Sequence, residues 1–316
     1  MILILTDKDE PTTDLIIDWL NCLKKGFIRL SSEDKIEISS IYEKESGFEA
    51  IFTVNNNTVI DTKNISSYWY RRSVLGWGYD EICSSNKEIE ETVNSFLLTE
   101  YSSSIKLLNN ILNNKERINK FDDNSILKLD VLQKAKKCGI KVPSTLICTN
   151  KAELISFYDK HNGNIITKPI GDPTSFFNKN CHQFTTKINL NNIPITFGIS
   201  LFQEMVDKVI ELRIFFLKGI FYGSAVFSQL NNDTKVDLKN YNLKKPARVV
   251  PYNLPNKIKK KLNLLMETLD LNSGSIDMIL TPKLEYVFLE VNPIGQFEQV
   301  AMPCNYNLFK IMAQTL

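Results

Sequence analysis

The stretch from Ser273 to Pro293 constrains this chain more than any other. Ser273-Gly274-Ser275-Ile276-Asp277-Met278-Ile279 and Tyr286-Val287-Phe288-Leu289-Glu290-Val291-Asn292-Pro293 are rich in β-branched and aromatic residues and are punctuated by Gly or Pro, so each reads as a strand. The intervening Thr281-Pro282-Lys283-Leu284 is short enough for a hairpin. Side chains alternate along a strand, so Glu290 and Asn292 share one face while Leu289 and Val291 take the other. With the loop centred between Lys283 and Leu284, residue 282 pairs with 285 and the register carries Asp277 opposite Glu290. Two carboxylates in a close cross-strand pair repel each other, an arrangement normally tolerated where a cation lies between them. Adding the Asn292 carbonyl gives an all-oxygen cluster, which suits Mg²⁺ better than zinc. The plainer reading is a set of polar residues on the solvent face of an ordinary hairpin.

The order Ile-Asp, then a strand ending Leu-Glu-Val-Asn-Pro, resembles the metal-binding signature of the ATP-grasp ligases. The longer run Phe288-Leu289-Glu290-Val291-Asn292-Pro293-Ile294-Gly295-Gln296-Phe297 resembles the ATP-grasp maturases of ribosomally made peptides, the microviridin-type (graspetide) synthetases. That resemblance implies an α/β (α+β) ATP-grasp fold. Its expected parts are an amino-terminal α/β domain over residues 1–115, a small central lid domain over 116–200 and a carboxy-terminal catalytic domain over 201–316. ATP and Mg²⁺ are the implied cofactors, with the metal on Asp277, Glu290 and Asn292.

Composition fits a globular protein. The 316 residues are 43% hydrophobic and 23% charged, enough apolar content for a large core and too much for disorder. A net charge of +2 argues against a general nucleic-acid binder. No apolar run approaches the roughly 18 to 20 residues of a membrane span. Met1-Ile2-Leu3-Ile4-Leu5-Thr6 has neither a basic start nor a small-residue cleavage site, so it reads as a strand and the expected compartment is the cytoplasm. The six cysteines contain no Cys-x-x-Cys pair, which reads as free thiols rather than a zinc site or disulfide framework. With only His161 and His182 present, chemistry by phosphate, metal and cationic side chains is favoured over a histidine mechanism.

In chain order, strand Ile2–Leu5, a helix over 14–23 and strand Phe27–Leu30 open an α/β layer, and a β-rich stretch over 36–60 follows with the turn signal Asn55-Asn56-Asn57. Tyr68-Trp69-Tyr70-Arg71-Arg72 sets two arginines beside three aromatics. This suits anion or peptide contact, and equally an edge strand with solvated arginines. With Phe27-Ile28-Arg29-Leu30 and Ser32-Glu33-Asp34, it is similar to the amino-terminal domain of the grasp-with-spasm subgroup of these maturases. Helical periodicity over 86–120 reads as packing. Asp122 to Asn124 supply N-cap candidates for a second helix that contains Lys128, with Gly139 as its C′ residue. Composition alone makes Lys128 a surface lysine.

Lys168 closes an apolar strand ahead of the irregular Gly171-Asp172-Pro173-Thr174-Ser175, a setting suited to phosphate or to a snorkelling edge lysine. In the strand Ile210 to Phe216, Glu211 and Arg213 share a face, fit either for ligand oxygens or for a solvated ion pair. The ATP-grasp resemblance puts Lys128 and Lys168 at the family's nucleotide lysines and residues 171–182 at its phosphate lid. It implies that adenine is read through backbone groups near Glu204 and Val206, in the segment that starts at Gln203. Glu211 would take the ribose and Arg213 the phosphate or substrate carboxylate. Val236-Asp237-Leu238-Lys239 falls where related maturases show Asp-Trp-Arg. A lysine keeps the charge but loses the guanidinium fork, so Lys239, with Arg248 as a second candidate, carries a weaker substrate role. Four lysines near the start of the helix over 257–269 oppose the helix dipole, as a basic patch for an acidic peptide or as a solvated face.

The implied reaction is activation of a side-chain Asp or Glu carboxylate of a precursor peptide (leader plus core) as an acyl phosphate. Capture by a Ser or Thr hydroxyl or a Lys amine then gives an ω-ester or ω-amide ring. A homodimer and a radical-SAM (SPASM) partner in the same pathway are also implied. One rival is a ligase adding amino acids to a peptide or protein terminus, which adds mass where ring closure removes water. The other is a catalytically silent peptide-binding protein, which would bind nucleotide without forming ADP.

Overall fold

The computed structural model describes residues 1–45, 47–76, 81–121, 123, 126–171, 185–227 and 247–316. The chain divides into two compact units, residues 1–124 with 307–316, and residues 125–306. The sequence segments 116–200 and 201–316 fall mainly within the second unit, where each carries its own sheet.

In the first unit, β1 (Ile2–Leu5) leads through α1 (Pro11–Cys22) to β2 (Phe27–Leu30). A meander of β3 (Ile36–Lys44), β4 (Gly47–Val54) and β5 (Thr58–Asp61) follows, then β6 (Ser67–Tyr70), α2 (Lys87–Asn113) and β7 (Glu116–Ile118). The parallel sheet runs β2-β1-β6-β7, and β3-β4-β5 form a separate antiparallel sheet. Helix α1 starts three residues before its expected position. Pro11 supplies the pre-set φ of a first turn, and the Glu10 side chain caps the helix by accepting from the Thr13 N–H. Asn55 and Asn56 take left-handed backbone, φ 52° and 58°, as the turn signal requires.

Two expectations fail in this unit. The helical pattern stops at Asn113, and residues 116–118 pair with β6 instead. Strand β6 is not an edge: it lies between β1 and β7 with every residue buried. Arg71 just beyond it is 2% exposed and forms an ion pair with Glu10 at 3.0 Å, so it is neither a solvated arginine nor a surface contact for a peptide.

The second unit contains α3 (Lys128–Lys137), β8 (Thr145–Asn150), α4 (Lys151–Lys160), β9 (Ile165–Lys168), β10 (Thr186–Lys187) and β11 (Thr196–Glu204). Then come β12 (Ile210–Leu217), β13 (Ile220–Phe227), β14 (Arg248–Tyr252), α5 (Asn256–Thr268), β15 (Ser273–Leu280), β16 (Tyr286–Asn292) and α6 (Glu298–Ala301). The terminal α7 (Leu308–Thr315) belongs to the first unit. The smaller sheet, β10-β9-β11-β8, packs Ile165, Phe202 and Cys148 against Leu154 of α4. The larger, antiparallel sheet is β14-β13-β12-β15-β16. Its core face presents Leu212, Ile214, Phe216, Ile276 and Met278 to α3 and α5, through Val131, Leu262, Leu265 and Met266. Each such buried side chain contributes about 1.5–3 kcal/mol, so this face fixes which residues must point the other way.

Helix α3 begins at Lys128, one turn later than its proposed caps. The Asp123 carboxylate accepts from the Lys120 N–H instead of capping α3, while residues 122 and 124 lie outside the described residues. Its end follows expectation. Gly139 sits at φ 72°, with bonds from the Gly139 N–H to the Lys136 carbonyl and from the Ile140 N–H to the Ala135 carbonyl closing the last turn.

Candidate active site

Opposite the core face, one row of directly paired residues crosses the large sheet: Pro251, Ser224, Arg213, Asp277 and Glu290. Asp277 therefore stands between a guanidinium on β12 and a carboxylate on β16. The expected pairing of Asp277 with Glu290 is present, but by another route. The loop is centred on Lys283, with the Thr281 N–H donating to the Glu285 carbonyl and Leu284 in left-handed backbone at φ 59°. That three-residue loop pairs Leu280 with Tyr286 and Met278 with Phe288, one step from the expected register. A bulge between Asp277 and Met278 then absorbs Leu289 and brings Glu290 opposite Asp277. Continued without the bulge, the register would oppose Asp277 with Leu289 and turn Glu290 towards the core.

Asp277 and Glu290 are half-buried, and Asn292, two residues further on the same face and paired with Ser275, is exposed. Lys128, the first residue of α3, places Nζ 4.0 Å from Glu290 Oε2. A cation at a helix N-terminus opposes the helix dipole, and the carboxylate offsets that cost. Among the described residues no group of three or more His, Cys, Asp and Glu side chains converges as a metal cage. The donor set here is two carboxylates and an amide oxygen. It fits Mg²⁺, which takes one or two protein carboxylates and fills its shell with phosphate and water oxygens.

Glu211 lies on the same face as Arg213 and forms a close ion pair with Lys208, a residue the sequence reading missed because the partner sits in the turn before the strand. Beyond the row, the Phe215 and Phe297 rings lie 4.5 Å apart. Ser275 Oγ donates to the Gln296 carbonyl, which ties β15 to the loop after Asn292. Arg248 does not join the row. By alternation from Pro251 it falls on the core-side face, at the exposed start of β14. Lys239 and residues 172–182 of the expected lid lie outside the described residues.

On the small sheet, Lys168 pairs with Leu201 and shares a face with Ile166, Gln203 and Thr145, opposite the face that packs on α4. Gln203, 1% exposed, donates from Nε2 to Thr145 Oγ1 at 2.9 Å. The Glu204 N–H donates to the Ser144 carbonyl, and its carboxylate accepts from the Ser144 N–H. The Glu204 N–H is therefore already paired with Ser144.

No family model matches the sequence, and a search of curated proteins finds no match. Solved structures do match over the whole chain. The macrocyclase MdnC from Microcystis aeruginosa, bound with precursor peptide MdnA, is 26% identical, with 100% of this chain and 99% of that chain covered and a TM-score of 0.75. A RiPP-associated ATP-grasp ligase from Chryseobacterium gregarium, in complex with ADP and a leader and core peptide, is 22% identical, covering 99% and 94% of the two chains with a TM-score of 0.76. The ATP-grasp ligase PsnB, complexed with minimal precursor, Mg and ADP, is 12% identical over 99% and 95% with a TM-score of 0.71. The chain has the ATP-grasp fold, in the form seen in these ligases of ribosomally made peptides.

Proposed function

We propose that this chain is an ADP-forming ligase that joins side-chain carboxylates of a ribosomally made precursor peptide to hydroxyls or amines of the same peptide. The observation that carries the reading is the row Arg213, Asp277 and Glu290, with Lys128 at 4.0 Å from Glu290. It is supported by the whole-chain likeness to MdnC, bound with precursor peptide MdnA, and to the Chryseobacterium ligase, in complex with a leader and core peptide. Asp277, Glu290 and Asn292 would hold Mg²⁺, while Lys128 and Lys168 offset the phosphate charge. Bound ATP supplies the phosphoryl group that converts the peptide carboxylate into an acyl phosphate. Arg213 holds the incoming carboxylate beside the metal site, so positioning and charge compensation carry the catalysis. Val206 and its neighbours contact the base, and Glu211, steadied by Lys208, takes a ribose hydroxyl. Lys239 stays a candidate on the peptide side. A homodimer and a SPASM partner belong to the same reading.

Incubation with ATP, Mg²⁺ and the precursor peptide should release ADP and remove one water from the peptide per ring, read by mass spectrometry. Asp277→Asn or Glu290→Gln should lower peptide-dependent ADP release by at least about a hundredfold, the scale of losing one transition-state contact. Near-normal turnover in both variants would rule out the metal assignment. A gain in peptide mass would instead mark an amino-acid-adding ligase.

A further inference from the structure

On the site face of the large sheet, Glu211, Arg213 and Phe215 follow one another along β12 at steps of about 6.8 Å. Phe215 belongs to a second row beside that of Asp277: it pairs with Tyr222 on β13 and with Ser275 on β15, and Ser275 pairs with Asn292. Phe215 and Phe297 are each 2% exposed, so the floor of this row is apolar and closed to water. Tyr222 is half-buried, and its ring meets that of Tyr306 edge-on at 5.7 Å. Tyr306 donates its hydroxyl to the Gly223 carbonyl, and the hydroxyls of Tyr252 and Tyr286 bond to each other. Of these four, the Tyr222 hydroxyl alone has no hydrogen-bond partner among the described residues. Burial raises its pKa, so it keeps its proton at neutral pH and is a donor. Arg213 pairs with Ser224, two residues from Tyr222. Tyr222 is therefore its diagonal neighbour across the strands, at about 7–8 Å and within reach of a shared group.

We propose that Tyr222 is a further catalytic residue, whose hydroxyl donates to the oxygen of the peptide carboxylate that Arg213 leaves free. The assignment takes the ligase reading above as its basis. There Glu211 lies at the ribose and the row of Asp277 at the phosphates, so one step further along β12 comes the acceptor of the phosphoryl group. One carboxylate oxygen attacks the γ-phosphorus as the bond to the ADP oxygen breaks, and the other becomes the carbonyl oxygen of the acyl phosphate. Attack by a hydroxyl or amine moves the carbonyl π pair onto that oxygen, where the hydrogen bond from Tyr222 strengthens. The C=O bond re-forms as phosphate leaves, taking the proton of the nucleophile.

Tyr222→Phe keeps the ring contact with Tyr306 and removes only the hydroxyl. The deciding measurement on the full chain is calorimetric binding of N-acetylglutamate, as a free carboxylate, to the Mg²⁺–ADP complex. Tyr222→Phe should bind this probe about tenfold more weakly than wild type, with Mg²⁺–ADP affinity and the thermal midpoint unchanged. Tyr306→Phe should bind it as wild type does. With precursor peptide, kcat/KM for ring closure in Tyr222→Phe should fall about a hundredfold. Absence of probe binding to wild type, or unchanged affinity in Tyr222→Phe, would overturn the proposal, and wild-type turnover of the peptide would then leave the ligase reading standing. Weakened probe binding in Tyr222→Phe, from a wild-type protein that releases no ADP with peptide, would end the ligase reading and support the carboxylate contact.

Discussion

Arg71 shows how far a residue's role depends on a partner remote in sequence. Beside three aromatics it reads as a ligand contact or a solvated charge, yet its guanidinium is buried against Glu10, 61 positions earlier. Burial pushes the Glu10 carboxyl up. The Arg71 charge and two hydrogen bonds from Thr13 outweigh burial and hold it below the ordinary carboxylate range. A depressed folded value means that the unfolded chain binds the proton more tightly. The stabilisation is whole above the unfolded carboxylate value, about 4.3, and is lost as pH falls through the folded one. Arg71→Met leaves a buried carboxylate uncompensated and should destabilise the first unit by about 3–5 kcal/mol. Glu10→Gln should flatten the acid limb of a chemical-denaturation series. At the site, the shared face of Glu290 and Asn292 was legible because strand alternation is a local rule, while the pairing of Asp277 with Glu290 was reached through a loop one step from the observed one. The bond from Gln203 to Thr145 and the pairing of Glu211 with Lys208 were not legible, because side-chain partners depend on folded geometry.

At the scale of elements, the hairpin shows two departures that compensate. The loop sits one step from its expected centre, and the bulge at Leu289 restores the opposed carboxylates. Sequence periodicity carries no sign of a bulge, since Leu289 is as apolar as Val287 and Phe288 before it. Helix and strand ends were blurred where context decided them: residues 116–118 leave the helical pattern because β6 offers an unfilled edge. Gly295 tests how tightly the site end of the hairpin is held. A Cβ there would lie 2.6 Å from Ser275 Cβ and 3.1 Å from the Asn292 carbonyl oxygen. Gly295→Ala should therefore cost about 1–3 kcal/mol of stability, as overpacking does, and weaken Mg²⁺-dependent nucleotide binding through Asn292. Thermal unfolding and calorimetry on one preparation would read both.

For the molecule as a whole, four separated segments of sequence pointed to one fold, and the structure gathers them in one compact unit, residues 125–306. Among the described residues no helix is long and apolar enough to cross a membrane. The α/β elements were legible because hydrophobic alternation and glycine punctuation act everywhere along the chain, whereas the ATP-grasp arrangement came from the family resemblance of separated motifs. The face that Arg248 takes was not legible, because an arginine near a strand end carries no mark of it. The central claim is that Asp277 and Glu290 together hold the divalent ion that anchors the nucleotide. Calorimetric titration of ADP with and without Mg²⁺ tests it most directly. Mg²⁺ should tighten ADP binding by tenfold or more, about 1.4 kcal/mol, in the wild-type protein and not in Asp277→Asn or Glu290→Gln. The same tightening in both variants would contradict the account.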